Sequence, residues 1–269
     1  MIKFAIFTLL TPLLWAAPSE QYFDLLKQSP KLHDIQGSHK SGEIEIILDP
    51  LQIKEAEGLA MERLLNNEVP LDLAWEWSRI GVVAEDQYLF WIRDGVIFPS
   101  GEKGTYDRIV WKSHLKADPG VAILPTVEDN KILLNLNYRH ATRSWELEIP
   151  RGLVQDGETI KGAAARKLMN ETGYRLDDCL LLGTMAVDSG ILGSLVPVVA
   201  CKAVSPADRN TDYSEAILDN VILSMDELES ALLKGFYDVP LSDKTQRAKV
   251  RDPFLTFALL HLKLRRPKD

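Results

Sequence analysis

The chain has 269 residues, 46% of them hydrophobic and 26% charged, which excludes a disordered or low-complexity protein and allows one large or two small cored domains. Acidic residues outnumber basic ones by 39 to 31, giving a net charge of −8 and a pI of about 5.3. That balance supplies no broad attraction to nucleic acid or polyphosphate, so no nucleic-acid partner is expected and any phosphate binding must be built locally.

Residues 1–17, MIKFAIFTLLTPLLWAA, set one lysine before an apolar run of signal-peptide length, shorter than a membrane span. Leu14 and Ala16 flank Trp15 as a tolerable cleavage site, whereas Pro12 and the single positive charge speak against export. A signal or anchor and a buried N-terminal helix both remain open, and with them a cytoplasmic or an exported location. No other integral membrane span is expected.

Residues 18–79 read as a partly helical N-terminal extension. Its first part, 18–40, is polar and broken at Ser29-Pro30 and Gly37-Ser38, a linker or a short helix. Glu43 to Leu48 alternates like a strand; Leu51 to Asn66 repeats apolar residues at helical spacing until Pro70 stops it.

From residue 80 to 269 short strands and helices alternate, and this stretch reads as one domain of α/β class. YLFWIRDGVIFP and TYDRIVW are strands joined by the turn-rich SGEKG, and Val121 to Pro125 and Ile132 to Tyr138 form the next pair. Trp145 to Ile149 is a strand that Pro150 closes. A loop follows, with Gly152 and the turn dipeptide Asp156-Gly157. Thr159 then caps a helix whose inner stripe is Ile160, Ala163, Ala164 and Leu168. Its other face carries Arg166, Lys167, Asn170 and Glu171, and Gly173 fits the left-handed position past its end.

Beyond that helix, Leu180 to Met185 and Leu195 to Val204 are strands. Leu223 to Gly235 is a helix with Ser224 and Glu227 as a capping box, and Phe254 to Leu264 is an apolar helix. Cys179 and Cys201 sit inside apolar runs. They are two buried core thiols, or a bridge if those runs are neighbouring antiparallel strands. Glu146 and Glu148 share one sheet face, available either as extra ligands or as partners for Arg139 and Arg143. His140 reads as structural or exposed, and Trp145 as a core residue.

Gly152, five residues, Glu158, seven residues, Arg166, then Leu168, Glu171 and Gly173 resemble the signature of Nudix hydrolases. That signature runs glycine, five residues, glutamate, seven residues, then Arg-Glu-apolar-any-Glu-Glu-any-Gly. The resemblance covers roughly residues 80–262, and the run YRHATRSWELEIPRG is similar to the matching segment of ADP-ribose pyrophosphatase-like members. It departs at Lys167 and Asn170, where the family has glutamates that hold a divalent metal against pyrophosphate.

The resemblance implies an α/β/α sandwich on a mixed sheet. It also implies a hydrolase that cleaves the pyrophosphate of ADP-ribose or a related nucleoside diphosphate small molecule with Mg²⁺ or Mn²⁺. By the same correspondence Glu171, Arg166 and Glu158 are the catalytic set, Arg166 orienting glutamates and Glu158 pairing with it. The metal set is the Gly152 carbonyl, Glu171, Asn170 and Glu215. Arg139, Arg143, Glu148 and Lys167 are the substrate-binding candidates. Homodimers are frequent among such relatives. Lysine for glutamate at 167 changes the local charge by about two units, so reduced or altered turnover is expected, with a non-hydrolysing nucleotide- or partner-binding protein as the alternative.

Overall fold

The computed structural model describes residues 18–116, 118–204 and 216–265, which leaves the apolar run 1–17 and Glu215 outside the described residues. The chain divides into two compact units, 1–110 and 111–269.

In the first unit α1 (Pro18–Gln28), β1 (Glu45–Ile46), α2 (Pro50–Asn66), α3 (Leu71–Ser78), β2 (Gly81–Glu85), β3 (Leu89–Ile97) and β4 (Lys103–Trp111) surround a sheet centred on β3. Strand alternation divides β3 between two layers. Asp94 faces α1, accepting the Tyr22 hydroxyl at 2.7 Å and pairing with Arg108 at 2.6 Å. Gly95 faces α2, and a Cβ there would press on Ile80 and Ile53. Helix α2 starts where Asp49 accepts the backbone N–H groups of Leu51 and Gln52, and it buries Ile53, Ala56 and Ala60.

The stretch 18–40, which the sequence leaves as a linker or a short helix, contains a packed helix, α1, anchored by buried Tyr22 and Leu26. One feature differs from the sequence reading. The strands of 80–110, assigned above to the C-terminal domain, complete the N-terminal sheet, because Glu45 and Ile46 pair with Ile97 and Val96 of β3.

The second unit comprises α4 (Lys112–Lys116), β5 (Val121–Thr126), β6 (Ile132–Arg139), β7 (Ser144–Glu148), β8 (Arg151–Gly152), α5 (Ile160–Thr172), β9 (Arg175–Ala186), β10 (Leu195–Val204), β11 (Ile217–Leu223), α6 (Met225–Lys234), β12 (Phe236–Pro240), β13 (Thr245–Lys249) and α7 (Pro253–Arg265). The sheet order is β12-β13-β7-β6-β5-β10-β9, with β11 on β6 and β8 on β5. It is mixed: β5 runs parallel to β10 and β13 to β7, while β9 is antiparallel to β10 and β6 to β7.

Alternate residues of β5 feed opposite cores. Ala122 and Leu124 pack with Leu228 and Ala231 of α6 and with Leu255 and Ala258 of α7. Val121 and Ile123 pack with Ala163 and Ala164 of α5. The unit is therefore an α/β/α sandwich, as the resemblance implies.

Cys179 and Cys201 form a disulfide. They are direct partners on antiparallel β9 and β10, and that register brings their Cβ atoms within bridging reach. The reading as two separate core thiols is thereby replaced. Among the described residues no helix is long and apolar enough to cross a membrane.

Candidate functional site

The loop between β8 and α5 is held by one ion pair. Thr159 caps α5 by accepting the Gly162 N–H, and Gly173 ends the helix at a φ of 76°. From the second turn Arg166 reaches back to Glu158, donating through Nε at 2.9 Å and Nη2 at 2.7 Å, and also donates to the Leu153 carbonyl at 3.0 Å. Glu158 accepts the Gln155 N–H at 3.0 Å as well. The Arg166 hydrogen bonds, with that backbone N–H, hold the Glu158 carboxyl down at about 2. The pair thus closes the loop onto the helix that follows it.

On the same helix Lys167 and Glu171 turn toward the sheet. Glu171 is only 3% exposed. It accepts from Asn135 of β6 at 2.7 Å and lies 3.7 Å from the Lys167 ammonium. Asn220 of β11 completes the support, donating to the Asn135 side-chain oxygen at 2.9 Å and to the Glu171 carbonyl at 3.3 Å. The methylenes of Lys167 lie against Gly152, where any Cβ would collide with them. Lys167 therefore bridges from Gly152 to Glu171, two members of the metal set that the resemblance implies.

A divalent cation does not fit these groups. Mg²⁺ and Mn²⁺ seek several anionic oxygens. Here the set offers one carboxylate, already facing an ammonium, beside half-buried Asn170. Among the described residues no three His, Cys, Asp or Glu side chains converge as a metal site, and Glu215 lies outside those residues.

A second polar cluster fills a small cavity of about 160 Å³ where β6 and β7 meet the start of α7. Glu148, 2% exposed, accepts from Arg139 through Nε at 2.8 Å and again through Nη2, from Arg151 at 3.0 Å and from Asn137 at 2.8 Å. Arg151 continues to Asp252 at 3.2 Å. Asp252 in turn accepts the N–H groups of Ile149 and Phe254 at 3.0 and 3.1 Å. Burial pushes the Asp252 carboxyl up, with Arg151 opposing. Glu146 binds Arg251 at 2.6 Å, Ser144 at 2.7 Å and Thr142 at 3.0 Å. Burial would raise its carboxyl, and these hydrogen bonds outweigh that and lower it.

Of the sequence candidates, Gly152, Glu158, Arg166, Lys167, Asn170 and Glu171 share the loop and helix, and Arg139 and Glu148 share the cavity. Glu146 and Glu148 are partners of arginines, though not of Arg143. Arg143 occupies a left-handed turn position, contacts His140 at 2.8 Å and stacks 5.7 Å from the Tyr138 ring, away from the cavity-lining set. Sequence reasoning missed Asn135, Asn220, Arg151, Arg251 and Asp252. Only the asparagines left a signal, as polar residues interrupting otherwise apolar strands.

Residues 116–228 match the NUDIX domain family model. The chain is 28% identical over 148 residues to the methanol dehydrogenase activator of Bacillus methanolicus, covering 54% of this chain and 76% of that one. It is 28% identical over 120 residues to the ADP compounds hydrolase NudE of Escherichia coli (strain K12), covering 45% and 62%. It is 24% identical over 144 residues to the ADP-ribose pyrophosphatase of Bacillus subtilis (strain 168), covering 52% and 78%. The match thus spans less than two thirds of the Escherichia coli relative. The sandwich and the loop-closing Glu158–Arg166 pair lie within the unit that carries the family match, so residues 116–228 are similar to a Nudix domain in both sequence pattern and fold.

Proposed function

We propose that the C-terminal unit binds ADP-ribose or a related nucleoside diphosphate derivative and hydrolyses its pyrophosphate bond slowly. In that reaction water adds to one phosphorus while the bridging oxygen leaves with the other phosphate. The observation that carries the reading is the register of Gly152, Glu158, Arg166 and Glu171, with Arg166 closing the loop that follows Gly152 through Glu158 and the Leu153 carbonyl, and Glu171 buried on the same helix. The names of two relatives, an ADP compounds hydrolase and an ADP-ribose pyrophosphatase, support the substrate class. Arg139 and Arg251, 36% and 55% exposed at their side chains, present guanidinium edges suited to phosphate oxygens. Lys167 adds an ammonium beside the loop.

Slow turnover follows from the charge at the helix. A divalent cation would neutralise developing phosphate charge, and the groups around Glu171 do not furnish its site. One observation favours a second reading, a Nudix domain that binds without hydrolysing: Lys167 spans Gly152 and Glu171, so an ammonium stands where the family places a carboxylate.

The test is hydrolysis of ADP-ribose, NADH and sugar nucleotides with Mg²⁺, with Mn²⁺ and with chelator. Glu171→Gln and the double substitution Lys167→Glu, Asn170→Glu run alongside. Turnover lost in Glu171→Gln and raised by about tenfold or more in the double variant supports slow hydrolysis. No turnover, with ADP-ribose raising the melting temperature in chelator, supports the binding reading. Neither turnover nor a thermal shift refutes both.

A further inference from the structure

The N-terminal unit holds a cleft that the Nudix chemistry does not use. Its floor is one face of the β3–β4 hairpin, where Trp91 and Arg93 lie beside Thr105 and Asp107. Arg63, Leu64 and Asn67 from the last turns of α2 form one wall, and Trp77 of α3 joins them. The cavity measures about 700 Å³, within the range of small-molecule sites.

The two guanidinium groups in this cleft are committed to structure. Arg63 lies over Gly104, where a Cβ would collide with it, and donates to the Lys103 carbonyl through both terminal nitrogens at 3.1 Å. Arg93 is 6% exposed; it donates to Asp107 at 2.9 Å and to the carbonyls of Glu76 and Arg79 at 3.3 Å, tying the end of α3 to the floor. With Glu102 and Asp107 they leave the lining with no net charge, so an anionic ligand gains nothing from it.

What remains for a ligand is aromatic and polar, in a lining without net charge. Trp77 and Trp91 stay 46% and 39% exposed, although folding normally hides indoles. An indole face is electronegative and attracts the weakly positive C–H face of a sugar ring. Around the indoles, the Asn67 amide, the Thr105 hydroxyl and the Glu102 carboxylate offer the mixed donors and acceptors that neighbouring sugar hydroxyls require. Apolar faces edged by amide, hydroxyl and carboxylate groups, in a lining without net charge, suit neither a phosphate nor a purely apolar molecule.

We propose that this cleft is a binding site for a neutral short saccharide, stacked on Trp77 and Trp91 and hydrogen-bonded by Asn67 and Glu102. The site is independent of the chemistry proposed for the C-terminal unit.

The test is titration of the full chain with maltose, cellobiose and diacetylchitobiose, followed by tryptophan fluorescence and calorimetry. Saturable binding of at least one sugar is expected, weakened about tenfold, which is about 1.4 kcal/mol, by Trp77→Ala and by Asn67→Ala. Both substitutions lie on exposed wall positions and leave the sheet intact. No saturable binding of any of these sugars overturns the proposal. So does sugar binding that neither substitution weakens, or adenosine bound tighter than every sugar and lost in Trp77→Ala.

Discussion

Removing the bridge between Cys179 and Cys201 is a direct test of how the sheet of the C-terminal unit is secured. The two cysteines are 22 residues apart in sequence, and closing a loop of that length removes chain entropy from the unfolded state worth about 3 kcal/mol. For a domain of this size each kcal/mol moves the melting temperature by about 2–4 °C, so reduction should lower it by about 10 °C. Circular dichroism on heating, with and without reductant, reads the bridge alone. The Cys179→Ala, Cys201→Ala variant should fall further, because Cys201 is 2% exposed and packs with Val121, Ile123 and Val199. An oxidised protein that titrates two thiols, or one whose melting is indifferent to reductant, refutes the reasoning. Persistence of the bridge in the native protein also requires an oxidising compartment, which non-reducing electrophoresis of freshly extracted material examines.

Two further substitutions test the polar framework. Asp252→Ala takes from Arg151 one of its two buried carboxylate partners, Glu148 remaining, and strands the N–H groups of Ile149 and Phe254; urea unfolding should show a loss of about 1–3 kcal/mol for each stranded donor. A loss below about 1 kcal/mol would mean the pair is effectively solvated. Glu158, held at about 2 in the folded protein, sits below the ordinary glutamate value of about 4.3. Its contribution is therefore present above about pH 4.3 and lost as the pH falls toward 2. Stability followed by urea unfolding across that window should drop less steeply in Glu158→Gln than in the wild type. Parallel curves would show that Arg166 does not carry the shift.

The sequence made legible what is local. Thr159 as the cap of α5, Gly173 as its left-handed end and the Ser224–Glu227 capping box are each decided within four residues, and all three appear in the structure. The sandwich was legible through a spaced pattern that fixes a loop and a helix together. Tertiary pairing was not. Helix α3 begins after Pro70 and leaves Trp75 and Trp77 exposed, so it carries no clean apolar stripe. The β12–β13 hairpin has polar turn and strand residues throughout TQRAK and gives little periodicity. The division at 110/111 depends on β1 joining β3 across half the unit. The cation that pairs with Glu146, Arg251, lies 105 residues downstream, a distance over which spacing says nothing.

That long-range pairing bears on the chemistry. Among the described residues, each buried carboxylate near the candidate site has a cation of the same chain within reach: Glu171 has Lys167, Glu148 has Arg139 and Arg151, Asp252 has Arg151 and Glu146 has Arg251. A site so balanced offers little to a divalent ion, since the ion must first displace an ammonium or a guanidinium and then find further oxygens. A diphosphate meets the opposite situation. On the proposed function its oxygens would accept from the same lysine and arginines, and the carboxylates behind them would keep those donors aimed. Under the proposed function, lysine at position 167 would have the site hold phosphate through side-chain donors rather than through a cation. This is why retention of ADP-ribose in chelator, rather than turnover in Mg²⁺, is the sharper measure of what the domain does.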